Sequence, residues 1–97
     1  MVRSRYSLYK KASKDLENII DWYEQVAPGL SIQFLQEIEG ALHQIVKSPS
    51  AYKPVTQGIR RCLLKKFPYI IYFIEEKDRI VVLRVRGKRQ KTLKRYS

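Results

Sequence analysis

The chain has 97 residues, room for one domain with a single modest core, and residues 1–97 are read as that one domain. Twenty Lys and Arg against nine Asp and Glu give a net charge of +11, which suits a partner rich in phosphate or carboxylate. The 44% hydrophobic content argues against disorder, the single cysteine excludes an intramolecular disulfide framework, and no apolar run is long enough to span a bilayer. Met1 to Lys11 carries charges but no apolar core of a signal peptide, so a reducing cytoplasm is the expected location.

From Val2 to Tyr9, Val2, Tyr6 and Leu8 share one parity while Arg3, Arg5 and Ser7 share the other, which predicts a short half-buried strand. Ser13 is placed to cap a helix with Asp15 in its first turn, and Leu16, Ile19, Ile20, Tyr23 and Val26 follow at helical spacing. Pro28 and Gly29 end it. A second helix runs from about Ser31 to Lys47 on a stripe of Phe34, Leu35, Ile38, Ala41, Leu42, Ile45 and Val46, and the short link makes the pair an antiparallel hairpin. Ser48 to Pro54 reads as punctuation, after which the period changes from 3.6 to 2. Three strands follow: Ile59 to Phe67, Tyr69 to Glu75, and Arg79 to Arg86, the last two joined at Glu75-Glu76-Lys77-Asp78. Pro68 belongs at a strand start or an edge. The expected class is α+β, ordered β-α-α-β-β-β, with a helical hairpin packed on one face of a small, mainly antiparallel sheet.

Charge is segregated along this layout. Residues 15–46 hold six of the nine acids and no Lys or Arg, whereas seven of the last fourteen residues are basic and none is acidic. Lysine used only for solubility is the plainer reading, and the segregation weighs against it. In the last strand, Val81, Leu83 and Val85 alternate with Ile80, Val82, Arg84 and Arg86. If the first set packs under the helices, both arginines stand on the open face. Arg60, Arg61, Lys65 and Lys66 make the preceding strand basic at both parities. Such a sheet, with Tyr69 and Tyr72 beside it, suits a nucleic-acid backbone and a stacked base, the alternative for each tyrosine being core packing.

Standard catalytic groups are scarce. His43, the only histidine, lies between helical core positions, and Cys62 has no base partner and reads as a small core residue. No Cys/His cluster points to a metal and no glycine-rich loop to a nucleotide, so no cofactor is expected. The remaining chemistry belongs to Arg, Lys and Tyr. RNA cleavage through its 2′-hydroxyl requires removing that proton, stabilising a pentacovalent phosphate and protonating the leaving oxygen. Arginines serve the second need, and a Lys or Tyr with a pKa depressed by crowded cations serves the others.

Three stretches resemble the RelE/ParE superfamily of type II toxin-antitoxin toxins: Ala12 to Leu16 through Phe34-Leu35; Ile59-Arg60-Arg61 leading to Lys66-Phe67-Pro68-Tyr69-Ile70-Ile71-Tyr72; and Arg79 to Leu83 leading to Gly87-Lys88-Arg89. The resemblance covers nearly the whole chain, and Phe67 to Tyr72 is its most specific part. In RelE-like ribonucleases, basic sheet residues and a C-terminal tyrosine cut mRNA on the ribosome; by position Arg60, Arg89 and Tyr96 look like those catalytic residues. Here Tyr96 falls about one residue late, and Tyr69 stands where many such ribonucleases have an arginine. The Phe-Pro-Tyr motif and the long hairpin are more similar to the ParE-like branch, whose characterised members inhibit DNA gyrase. The resemblance therefore implies a growth-inhibiting toxin, with gyrase ahead of ribosome and mRNA as target. Arg60, Arg61, Tyr69, Arg84, Arg86, Lys88 and Arg89 are its target-binding candidates. It also implies a cognate acidic antitoxin that wraps the toxin, and no membrane partner. A non-enzymatic basic nucleic-acid-binding module is the reading from another class.

Overall fold

Apolar spacing of 3.6 residues places the first half of the chain in two helices, and alternation then turns the second half into strands, as a computed structural model describing residues 6–89 displays. The elements are β1 (Tyr6–Leu8), α1 (Lys10–Val26), α2 (Leu30–Lys47), a single 3₁₀ turn (Pro49–Ala51), β2 (Lys53–Thr56), β3 (Ile59–Leu63), β4 (Tyr69–Glu76) and β5 (Arg79–Gly87). The class is α+β, as expected, with β2 as an additional short edge strand. Sheet order is β1-β5-β4-β3-β2; β1 runs parallel to β5 and every other pair is antiparallel.

β1 passes directly into α1. The Tyr9 N–H still belongs to the sheet, donating to the Val82 carbonyl at 2.8 Å, while the Tyr9 carbonyl accepts the Ser13 N–H at 3.1 Å. Ser13 is therefore inside the helix and not its cap, and Asp15 sits in the second turn. The apolar stripe begins one turn earlier than expected because Ala12 is fully buried. At the other end, Gly29 takes φ 98°, a left-handed conformation that strains other residues, and starts α2. The hairpin lays Ile19 and Tyr23 of α1 and Phe34, Ile38, Leu42 and Ile45 of α2 on the sheet. Val26 and Leu35, expected in the apolar stripes, are exposed.

The main core fills the space between helices and sheet, with Phe34, Ile45, Ile71, Phe73 and Val82 at its centre. At one end the Phe34 ring meets those of Tyr23, Phe67 and Tyr69 at centroid distances of 5.7, 5.3 and 5.6 Å, within the range of favourable edge and tilted contacts. A second, smaller cluster forms on the sheet face away from the helices: Ile59, Ile70, Tyr72 and Leu83, with Ile74 and Val81 packed against them.

These two clusters overturn the simple parity expected of β5. Ile80, Val82 and Val85 lie in the helix-side core, while Val81 and Leu83 join the opposite cluster. The cause is a bulge: Tyr72 pairs with Arg84 but Phe73 pairs with Val82, leaving Leu83 as an extra residue on β5. An inserted residue shifts the alternation beyond it by one.

Candidate functional site

Arg84 keeps the parity of Ile80 and Val82. Its guanidinium is directed to Asp15 of α1, donating from Nε at 2.8 Å and Nη2 at 2.9 Å, and the same carboxylate accepts the Val85 N–H at 2.9 Å. The pair is mostly buried, with 13% of the Arg84 and 14% of the Asp15 side chain exposed. Hydrogen bonding to Asp15 raises the Arg84 pKa and fixes it as a cation. Arg84 is thus a fastener between α1 and β5, and the expectation that it stands on an open face fails.

The other candidates separate. Arg60 pairs with Phe73, a helix-side residue, and donates from Nη1 to the Tyr52 carbonyl at 2.7 Å. Arg61 lies opposite Tyr72 and Arg86 opposite Ile70, so both share the face of the second cluster and are half-buried there. That face is apolar with two arginines set into it, not a bare basic surface. Tyr72 is core within it, whereas Tyr69 belongs to the helix side, where it packs against Tyr23 and Phe34. Tyr69 is consequently not positioned to stack a base beside Arg61 and Arg86. Tyr96 lies outside the described residues.

Exposed cations gather instead at one end of the sheet. Tyr69 pairs with Gly87, so the β3–β4 turn, residues 64–68, lies beside the exit of β5. The Lys88 N–H donates to the Pro68 carbonyl at 2.9 Å and joins the two segments. The turn is held from below by Glu37 of α2: its carboxylate accepts the Lys65 N–H at 2.6 Å and the Lys66 N–H at 3.1 Å. Lys65, Lys66, Lys88 and Arg89 are all exposed at this end. Reading the sequence missed the role of Glu37, although its place beside Ile38 and three residues after Phe34 puts it on the flank of the buried stripe, an unusual setting for a carboxylate without a partner.

Two groups weighed as catalytic take other places. Cys62 is buried opposite Ile71, and burial pushes its thiol pKa up, with Glu37 adding to the rise and Lys65 opposing it. A raised pKa removes the thiolate needed for nucleophilic work. His43 is exposed on α2. Between β1 and the two helices lies an apolar groove of about 380 Å³, lined by Tyr6, Leu8, Leu16, Ile32, Leu35, Ile38 and Leu42, with Gln36 and Glu39 at its margin.

The sequence profile of the family described as ParE toxin of type II toxin-antitoxin system, parDE, matches residues 6–92. The chain belongs to this family. The toxin also resembles a solved structure described as the chromosomal ParDE TA system from P. aeruginosa, with a TM-score of 0.75 and 21% identity over 86% of this chain and 94% of that one. At that identity the likeness concerns the fold. No curated protein matches the sequence. Among the described residues no helix is long and apolar enough to cross a membrane.

Proposed function

We infer that this toxin arrests growth by poisoning DNA gyrase, holding its target through the basic end of the sheet and not through a catalytic centre of its own. The observation that carries this reading is the separation of Arg60 from Arg89, two of the ribonuclease candidates. Arg60 pairs with Phe73 on β4, while Arg89 lies two residues beyond Gly87, which pairs with Tyr69. Four residues along β4 and the width of two strand spacings put the Arg60 and Gly87 backbones on the order of 15 Å apart, and the Arg60 guanidinium is turned to the Tyr52 carbonyl while Arg89 is exposed. A group that transfers a proton and a group that stabilises the same phosphate must lie within hydrogen-bond reach of one reacting centre. Membership of the ParE family supports the same choice.

The partner in the resting state is a cognate antitoxin with an acidic, partly apolar segment. Its carboxylates would meet Lys65, Lys66, Lys88 and Arg89, and its apolar side chains the groove of Leu8, Leu16, Ile32 and Leu35. Induction of the toxin in a bacterium lacking the neighbouring antitoxin gene should stop growth, and co-expression of that gene should restore it. Normal growth of cells shown to contain folded toxin contradicts the toxic action. Ribosome-dependent, codon-spaced cuts in a translating extract, lost with Arg89→Ala, contradict the choice of gyrase.

A further inference from the structure

We propose that the β3–β4 turn is a preset binding site for a nucleic-acid phosphate backbone, in which Lys65 and Lys66 act with Lys88 and Arg89 and Glu37 is the residue that positions the turn. This rests on the reading of the basic end as target-binding, and adds to it the class of ligand and the positioning role of Glu37.

Two observations carry it. First, the backbone of the turn is fixed from two sides. Glu37 takes the successive N–H groups of Lys65 and Lys66, and the Pro68 carbonyl takes the Lys88 N–H. The Leu64 N–H donates to the Tyr69 carbonyl at 3.0 Å, closing the turn on itself. Second, the four side chains of this end are exposed, whereas Arg84 is taken up by Asp15 and Arg60 by a carbonyl. With its amides turned toward α2, the turn offers solvent lysine ammonium groups on an ordered main chain. Ammonium groups are point charges suited to successive phosphates and indifferent to base sequence. Lys66 is two residues from Pro68, so Lys66 and Lys88 stand within about 12 Å of backbone reach of one another. The acidic antitoxin segment would cover the same cations in the resting state, and nucleic acid is the occupant once that segment is displaced. A fixed cluster of four cations, set apart from the apolar groove between β1 and the helices, favours the regularly charged polymer.

Glu37 makes the idea separable from net charge. Glu37→Gln raises the positive charge by one, so charge alone predicts tighter binding of any polyanion. It also replaces the charged oxygen that accepts both N–H groups with a weaker neutral acceptor, and sets the amide NH2 where Oε1 accepts the Lys66 N–H at 3.2 Å, which loosens the turn. The positioning role therefore predicts weaker binding from a more positive protein.

The test is fluorescence anisotropy of the purified full chain with a DNA duplex, a single-stranded RNA and poly-glutamate, across a salt series. Lys65→Gln/Lys66→Gln should lower the salt slope on duplex DNA by about 1.8, at about 0.9 for each phosphate no longer neutralised. The matched control Lys47→Gln/Lys77→Gln, at the C-terminus of α2 and in the β4–β5 turn, should leave the slope unchanged. Glu37→Gln should weaken DNA binding several-fold in a chain that stays folded; if it unfolds, the two lysine pairs decide alone. Equal losses from both lysine pairs, tighter binding by folded Glu37→Gln, or dependence on Lys65 and Lys66 for poly-glutamate alone would each overturn the proposal. The DNA and RNA arms identify the source of the phosphates. Growth assays on the same variants separate the two readings: growth arrest without nucleic-acid binding sinks this inference alone, and lysine-dependent binding without growth arrest sinks the toxic mechanism alone.

Discussion

Replacing Asp15 with Asn tests whether α1 and β5 are joined by the carboxylate that Arg84 and Val85 share. Three donors converge on that carboxylate at 2.8 to 2.9 Å, and the two side chains keep only 13% and 14% of their exposure. Breaking a buried ion pair by removing one partner typically costs about 3–5 kcal/mol, because the remaining charge is stranded. Residual solvent access and the acceptor left on Asn place Asp15→Asn at the lower end, about 3 kcal/mol. For a chain of this size that lowers Tm by roughly 12–24 °C and removes a large share of a total stability of about 5–15 kcal/mol. Arg84→Met leaves Asp15 with the Val85 N–H and should cost less. In the double variant no charge is stranded, so it should recover about 2 kcal/mol relative to the sum of the single changes. Urea unfolding followed by circular dichroism measures all three. A cost below about 1 kcal/mol for Asp15→Asn, or strict additivity in the cycle, refutes the fastening role.

Cys62 should resist alkylation in the native state and react on unfolding, since burial raises its pKa. Its protonated thiol contributes stability fully present below the unfolded pKa, about 8.5, and lost as pH rises through the higher folded value. Unfolding titrations at rising pH should show this decline and lose part of it in Cys62→Ala; Tyr23 and Tyr52, whose pKa values burial also raises, extend the decline above 10.0. Lys77 holds φ 54° in the β4–β5 turn. Lys77→Gly should therefore stabilise by about 0.5–1 kcal/mol in thermal unfolding, the relief of left-handed strain exceeding the entropic loss. Lys88→Ala and Arg89→Ala should abolish growth arrest with Tm unchanged, whereas any loss with Arg84→Met should be accompanied by lowered Tm; the reverse pattern refutes the division between target-binding and structural arginines.

The hairpin was legible because Leu16, Ile19, Ile20 and Tyr23, then Phe34, Ile38, Leu42 and Ile45, repeat at helical spacing with Gly29 between them. β2 was not, because Lys53-Pro54-Val55-Thr56 is exposed throughout and carries no burial alternation; its proline is tolerated at a sheet edge. The bulge at Leu83 was equally hidden, since pairing with β4 creates it, and it brings Val85 to the side of Ile80 and Val82; Arg84 was misplaced because that set, and not Val81 and Leu83, faces the helices. Composition pointed to Arg86, Lys88 and Arg89 as a basic exit from the last strand. It could not say that Arg60 faces the helices or that Tyr69 packs under them, because basic residues at both parities of β3 leave its register open. Lys65 and Lys66 gain meaning only from Glu37, a partner 28 and 29 residues distant in sequence.

Whether this toxin acts on gyrase through binding alone is tested most directly by supercoiling of relaxed plasmid with purified gyrase, toxin being added at increasing concentration. Inhibition with accumulation of cleaved DNA is expected, retained by Arg60→Ala if that variant stays folded and lost with Lys88→Ala/Arg89→Ala. Undiminished supercoiling in the presence of folded toxin that still arrests growth contradicts it.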